Sequence, residues 1–510
     1  MRETLGLCPE EELLLACGNS CLSEAKKKRI KSLLLREVNW AYLLRTAYGH
    51  RLIPRLYWQL HSVCPEAASK PPLSDLRDEV DRNGQRNRFL LQKLTDTLHL
   101  LQASGISALP FKGPIGMASL GGPQALGMFW NLDLLIHPKD LSMAKQSLLS
   151  QGYPMQEGVD LRAECKARFF SPDGRFYICL YWGIVPRRLA LDLETEPLWN
   201  RLGQISTGDL TVPTLSPEDL LPILCIQGAE RGWNELAGLV EVSEIVRFHD
   251  RMDWKQILEG ARRDRYERIL LLGLGLAHQL LETPLPEEIL GKISVDSTVK
   301  ELSRNATRRL FPKGAECPRP WEIRILWIKS RERLGDKLLC GFRLLGRFRL
   351  GMRNPSRFSS FGSSPMNVVD RMLELAEVTS EDLVYDLGCG DGRVVVRAAQ
   401  RFGARGVGVD IDPERIVESR ANARQAGVEH LVKFVRQDAM TADVSLANVV
   451  VLYVNETLTA RLCPRLQAQL QRSARIVSHQ FELGDWIPLK VDTVVNADEP
   501  HWLYLWRLPP

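Results

Sequence analysis

Three glycines alternating with reactive side chains mark one stretch of the sequence, Val384-Tyr385-Asp386-Leu387-Gly388-Cys389-Gly390-Asp391-Gly392-Arg393. Glycine at 388, 390 and 392 removes the side chains that would hold a ligand off the backbone, and it permits positive φ. The apolar run before the turn predicts a buried strand over 383–387, and the residues after it predict a helix from about Arg393. Free N–H groups at that helix start would face a polar ligand. A second strand follows over 406–411 and ends on Asp410, 24 residues beyond Asp386. An acid in that position can accept hydrogen bonds from both hydroxyls of a ribose. Asp386 before the turn and Asp391 inside it add two carboxylates, which suit a cationic amino-acid moiety and oppose a pyrophosphate. A glycine-rich turn alone recurs by chance; the second strand and its acid decide what this one holds.

Together these residues resemble the S-adenosylmethionine site of class I methyltransferases. The segment from about 363 to 486 is similar to a methyltransferase family that includes protein lysine methyltransferases modifying the ATP synthase c subunit. The matching residues are Ser364-Pro365 with Val368-Val369 and Met372-Leu373, the Tyr385–Arg393 turn, 406–412, Val451-Leu452-Tyr453, and 475–479 with Asp485-Trp486. The resemblance implies S-adenosylmethionine as cofactor, held by Tyr385, Asp386, Gly388, Cys389, Gly390, Asp391, Gly392, Asp410 and Ile411. Asp438 and Ala439, closing the third strand, are expected beside its adenine. Methyl transfer from a sulfonium is an in-line displacement that needs an unprotonated nucleophile roughly 3 Å from the methyl carbon, and no metal. Tyr453, Asn455 and His479, ending the fourth and fifth strands, are the candidates for orienting or deprotonating it. A loop-capping asparagine and a structural histidine are the plainer readings of Asn455 and His479. The family's Pro-Thr-Pro is replaced by Ser363-Ser364-Pro365, and Asn455-Glu456 also departs from it. The acceptor, protein or small molecule, therefore stays open.

From 366 onward, helices and strands alternate as a doubly wound, Rossmann-like α/β sheet requires, with the ligand at the carboxyl ends of its strands. Helices are expected over 367–376, 393–402, 413–426 and 457–470. Strands are expected over 384–387, 406–411, 432–437, 448–453 and 474–479, with a terminal hairpin over 489–496 and 501–507.

The other chemical cluster lies in the first half. Helical spacing fills 10–100. A strand then ends in Lys112-Gly113, and a helix is expected from about Pro114. After Gly121-Gly122 a further strand carries Asn131-Leu132-Asp133-Leu134, and strands over 168–170 and 176–181 follow. With the helical tail, residues 10–290 resemble an uncharacterised bacterial nucleotidyltransferase family, which implies an α+β palm over about 104–200 within a helical surround. That family's chemistry needs an Asp-x-Asp and a third carboxylate to hold divalent metal, since hard cations take oxygen ligands. Here Asn131 stands at the first Asp, only Asp133 remains, and Cys179 stands at the later acidic position. Gln227 and Arg231 occupy positions usually held by histidines. Lys112, Gly113, Asn131, Asp133 and Cys179 thus read as a degenerate site, with Mg²⁺ implied only if the domain is active. The reading that follows is a methyltransferase whose first domain binds an acceptor or partner. The alternatives are a bifunctional nucleotidyltransferase/methyltransferase and a non-catalytic ligand-binding regulatory protein.

At 510 residues the chain exceeds one core. The expected division is 1–290 nucleotidyltransferase-like, 291–365 basic helical connector and hinge, and 366–510 methyltransferase. A net charge of +5 gives no argument for nucleic acid. Eleven cysteines without a C-x-x-C pair fit reduced thiols, and no zinc or other metal site is expected. No signal pattern and no run of 18 apolar residues occur, so a cytoplasmic, bacterial protein is expected. In 323–357, ten Lys or Arg face two acids between apolar residues. Such a basic amphipathic stretch can meet an acidic partner or sit peripherally on an anionic membrane, or simply pack on its own domains.

Overall fold

The computed structural model describes residues 6–68, 73–113, 115, 126–129, 131–155, 164–172, 176–189, 191, 193–207, 210–311, 320–333, 335–341, 364–454, 456–471, 473–481, 483, 489–496 and 499–507. The chain forms two compact units that divide near residue 346.

In the first unit, β1 (Ala108–Pro110), β2 (Asn131–Ile136), β3 (Lys166–Phe170) and β4 (Tyr177–Tyr181) form a sheet in the order β1-β2-β4-β3. β2 and β4 run parallel, which sets Asp133 opposite Cys179. β5 (Gly203–Thr207) and β6 (Leu210–Thr214) add a hairpin that the sequence reading does not contain. Around the sheet, helices pack their apolar faces together; Leu13, Leu14, Leu239, Leu272 and Trp233 sit in one core. One ion pair is sealed inside it: Arg55 donates from both terminal nitrogens to both Glu244 oxygens, each at 2.7 Å.

The helices Glu287–Val295, Ser297–Leu310 and Pro320–Ser330 stand where the sequence reading begins a connector. They contribute Ile289, Val299, Leu302, Leu310, Leu326 and Trp327 to the first unit's core. Charges in this part of the basic stretch meet local partners, Lys329 with Glu301 at 2.5 Å and Asp336 with Arg265 at 3.1 Å. Its other half, 342–357, lies outside the described residues. So do Pro114, Gly121-Gly122, most of the expected hinge, Asp485-Trp486 and Asn455. Among the described residues no helix is long and apolar enough to cross a membrane.

The second unit is a seven-stranded sheet in the order β12-β13-β11-β10-β7-β8-β9. Its strands are β7 (Leu383–Leu387), β8 (Arg405–Asp410), β9 (Val432–Arg436), β10 (Val449–Leu452), β11 (Arg475–His479), β12 (Lys490–Asn496) and β13 (Glu499–Arg507). β11, β10, β7, β8 and β9 are parallel, and the β12–β13 hairpin closes one edge antiparallel. Val449, Val450, Val451 and Leu452 are all buried, as a strand covered by helices on both faces requires. Strand order reverses between β7 and β10, so the carboxyl ends of these two strands frame the crevice in which such sheets hold ligands.

Candidate functional site

The turn after β7 is built against β8. Gly388 and Cys389 both donate from their backbone nitrogens to Val409 O, at 2.8 and 3.0 Å. Gly388, Gly390 and Gly392 all have positive φ, at 91, 52 and 78°. Closeness adds to conformation: a Cβ on Gly392 would lie 2.6 Å from Phe434 and 2.7 Å from Ser419, and one on Gly408 of β8 would lie 2.6 Å from Phe434 and 2.9 Å from the Cys389 sulfur. Cys389 is buried there, and burial raises its thiol pKa.

The three acids occupy three different environments. Asp386 is 4% exposed, and no hydrogen bond or ion pair reaches its carboxylate among the described residues. Burial, with the nearby charges of Asp410 and Asp391, pushes its pKa up to about 8. Asp410 ties the turn to the next loop: one oxygen accepts from Gly390 N and the other from Asp412 N, both at 2.9 Å. Each oxygen keeps a lone pair for a ligand hydroxyl. Asp391, expected beside the cofactor, is also bound by a neighbouring side chain. Arg393 grips it with Nε at 2.9 Å and Nη2 at 2.6 Å. Against the upward pull of burial, that guanidinium holds the Asp391 carboxyl below the usual range. The remaining Arg393 nitrogen donates to Ser364 O at 2.9 Å, so the pair fastens the turn to the start of the helix Met366–Leu375.

The rest of the expected cofactor set lines the same sheet edge. Ile411, half exposed, follows β8, and Tyr385 on β7 is half-buried. Asp438 is exposed and accepts from Met440 N at 2.8 Å, with Ala439 half-buried beside it.

At the ends of β10 and β11 the register sets Leu452 against Ser478, so Tyr453 and His479 come side by side with ring centroids 4.0 Å apart. His479 is fully buried. Its Nδ1 lies 2.9 Å from Ser364 Oγ and its Nε2 lies 2.8 Å from His501 Nδ1. Burial, then the neighbouring His501, drops its pKa to about 3, so the ring is neutral. The sequence reading assigns no site role to Arg393 or His501. His501 stands in a terminal strand with no motif around it, and only the β11–β13 pairing brings it to the site.

In the first unit Lys112, Gly113, Asn131 and Asp133 line one cleft, together with Arg51, Arg55, Arg231 and Glu241. Asp133 is buried, and one of its carboxylate oxygens has no hydrogen-bond partner. Cys179 faces it from β4, its thiol pushed up to about 12 by burial and by the Asp133 charge. Burial pushes the half-buried Lys112 amine below its usual range. The four residues nearest in sequence to a nucleotidyltransferase site thus share one cleft, with a single carboxylate among them. Among the described residues no group of three or more His, Cys, Asp or Glu could hold a metal.

Residues 386–490 match the family described as the ANTKMT methyltransferase domain. Over 144 residues the chain is 40% identical to "Protein-lysine N-methyltransferase" of Saccharolobus islandicus, covering 28% of this chain and 89% of that protein. Through this domain the chain belongs to the ANTKMT methyltransferase family.

Animal relatives of the methyltransferase domain include "Adenine nucleotide translocase lysine N-methyltransferase" of Mus musculus, 32% identical over 24% of this chain and 52% of that one. The chain thus spans about half the length of that relative. A crystal structure described as an RNA methyltransferase from Salinibacter ruber in complex with S-adenosyl-L-homocysteine is 46% identical over 29% of this chain and 94% of that chain, with a TM-score of 0.28. Residues 36–282 match the family described as "Uncharacterised nucleotidyltransferase". The protein joins a nucleotidyltransferase-like unit to an S-adenosylmethionine-dependent methyltransferase domain. The methyltransferase site fits its cofactor. An unpartnered buried carboxylate at Asp386 lacks the cation that an amino-acid moiety carries, and Asp410 retains acceptor capacity where ribose hydroxyls would bind.

Proposed function

We propose that the protein transfers a methyl group to the side-chain nitrogen of lysine in a protein acceptor. The observation that carries this reading is the 40% identity extending over 89% of a protein-lysine N-methyltransferase. Bound S-adenosylmethionine supplies an electrophilic methyl group. The chain's own residues hold and screen it: Asp386 counters the ammonium end, Asp410 accepts from the ribose, and Ile411 and Ala439 flank the base. A lysine amine has a pKa near 10.4 in water, so the site must favour its neutral form, and burial among uncharged groups does so. Neutral His479 and the Tyr453 ring give such surroundings at the ends of β10 and β11.

The first unit, on this reading, recognises the acceptor or a partner and transfers no nucleotide. Support comes from the palm itself, where Asn131 and Cys179 replace oxygen ligands and Asp133 is the one carboxylate on the paired strands. Methyl-labelled cofactor incubated with host extract tests the proposal. Label in protein that survives nuclease and co-elutes with methyllysine after hydrolysis is expected; label in RNA or in a small molecule would replace lysine as the acceptor. Labelled nucleoside triphosphates with Mg²⁺ test the first unit, and no incorporation is expected.

A further inference from the structure

Two buried histidines joined ring to ring are not required by the cofactor site. Ser364 Oγ, His479 Nδ1, His479 Nε2 and His501 Nδ1 form a continuous line with links of 2.9 and 2.8 Å. Ser364, His479 and His501 are 4, 0 and 7% exposed. One link joins two ring nitrogens, so a single proton must serve both, since a neutral imidazole has one donor and one acceptor. If that proton sits on His479 Nε2, His479 Nδ1 accepts from the Ser364 hydroxyl and His501 carries its own proton on Nε2. If it sits on His501 Nδ1, His479 Nδ1 donates to Ser364 Oγ and His501 Nε2 is bare. Both arrangements satisfy every link with both rings neutral. Shifting each proton by one position converts one into the other, which moves one proton along the whole line. The line starts at a residue tied by its carbonyl to Arg393 of the cofactor turn, and His479 stacks on Tyr453 at the end of β10.

We infer that Ser364, His479 and His501 form a proton relay that carries the acceptor's proton away from the methyl-transfer site. The inference rests on the amine-methylation reading above. A lysine ammonium must lose one proton to expose its lone pair. The acceptor nitrogen then forms the N–C bond while the C–S electron pair stays on sulfur. In the relay, that ammonium proton passes to Ser364 Oγ as the serine proton passes to His479 Nδ1. The His479 Nε2 proton moves to His501 Nδ1, and the His501 Nε2 proton leaves to water. Charge and atoms balance: one proton enters, one leaves, and the line is left in its other arrangement. The charged pair at the Ser364 end, Arg393 with Asp391, is neutral overall and adds no competing base. Ser364, His479 and His501 are positioning and relay residues; none is assigned a bond to the methyl group.

The relay is tested first without cofactor, by nitrogen NMR of the full chain labelled in histidine. Expected are two neutral rings at about pH 7, coupled through the shared proton, with averaged tautomers that freeze to one form in Ser364→Ala and average again in Ser364→Thr. Two fixed tautomers insensitive to Ser364→Ala would overturn it. Rates of methyl-label transfer into host-extract protein supply the second arm. In Ser364→Ala and His501→Phe the rate at about pH 7 should fall about tenfold or more, with S-adenosylhomocysteine affinity kept, and recover as pH rises toward the amine pKa. A loss that pH does not restore, or one matched by lost affinity, assigns these residues a structural role and overturns the relay. No transfer by wild type at any pH would overturn the amine reading and the drain with it, while the NMR arm still decides whether the shared-proton line exists.

Discussion

Asp133 and Asp386 are both buried aspartates on sheet strands, 9 and 4% exposed, and they stand in different surroundings. Around Asp386 the other parts persist: a glycine turn closed on β8, Asp410 with both oxygens engaged by backbone donors, and Arg393 binding Asp391 to Ser364. Around Asp133 the frame is present with a single carboxylate on its paired strands. β2 and β4 still set their residues in register and Lys112-Gly113 still turns into the cleft, yet the side chain facing Asp133 is a buried thiol. A metal centre needs several oxygen ligands at once, and the paired strands here offer one carboxylate. Methyl transfer from a sulfonium needs no metal and depends on separate contacts. Packing and chemistry can diverge, because the core residues and the reacting residues are different residues.

Substitutions can break this contrast. The sharpest contrast is expected on ligand affinity: Asp386→Asn should weaken S-adenosylhomocysteine binding about 100-fold, equivalent to about 2.7 kcal/mol, while Asp133→Asn leaves it unchanged in the same calorimeter. On stability the order reverses. Arg55→Ala strands the buried Glu244 carboxylate and should cost the first unit about 3–5 kcal/mol. Asp386→Asn removes a carboxyl whose ionised form burial disfavours, and should leave the melting of the methyltransferase domain level or raised. Next come the glycines: Gly408→Ala drives a Cβ against Phe434 and Cys389 and should cost about 1–3 kcal/mol by overpacking. Gly113→Ala, with φ at 82° and its nearest neighbour 3.5 Å away, should cost only about 1–2 kcal/mol of backbone strain. Denaturant melts of each variant check both.

A further contrast lies in pH. His479 has a folded pKa of about 3, below its unfolded value near 6.5. Its contribution is full above about pH 6.5 and is lost as pH falls toward 3, because the unfolded chain takes up the proton first. Asp386 acts with the opposite sign. Its folded pKa of about 8 exceeds the unfolded value, so its contribution is present below about pH 4 and is lost as pH rises through 8. His479→Phe should flatten the acid limb of thermal stability, and Asp386→Asn the limb toward pH 8.

Much of this was legible in sequence for a physical reason. β10 is a continuous apolar run, and the turn needs glycines that few other structures need, so the second unit's strands and the glycine turn could be read directly. The β5–β6 hairpin was missed because its runs are short and Pro213 lowers the strand signal. Part of the expected connector, 291–365, is helical and packed: Leu302, Leu326 and Trp327 lie in the first unit's core, which a reading led by the basic residues of 323–357 did not place. That Arg393, two residues on, grips Asp391 was not read from the sequence. His501 was invisible because strand pairing, which no local pattern encodes, brings it to His479.

The central claim is that Asp386 keeps a proton until a cation replaces it. Calorimetric titration of S-adenosylhomocysteine at about pH 7, in two buffers that differ in ionisation enthalpy, measures this directly. The account predicts binding with net proton release by the wild-type chain, and weakened binding without that release by Asp386→Asn. Tight binding by both proteins with the same proton count would contradict it.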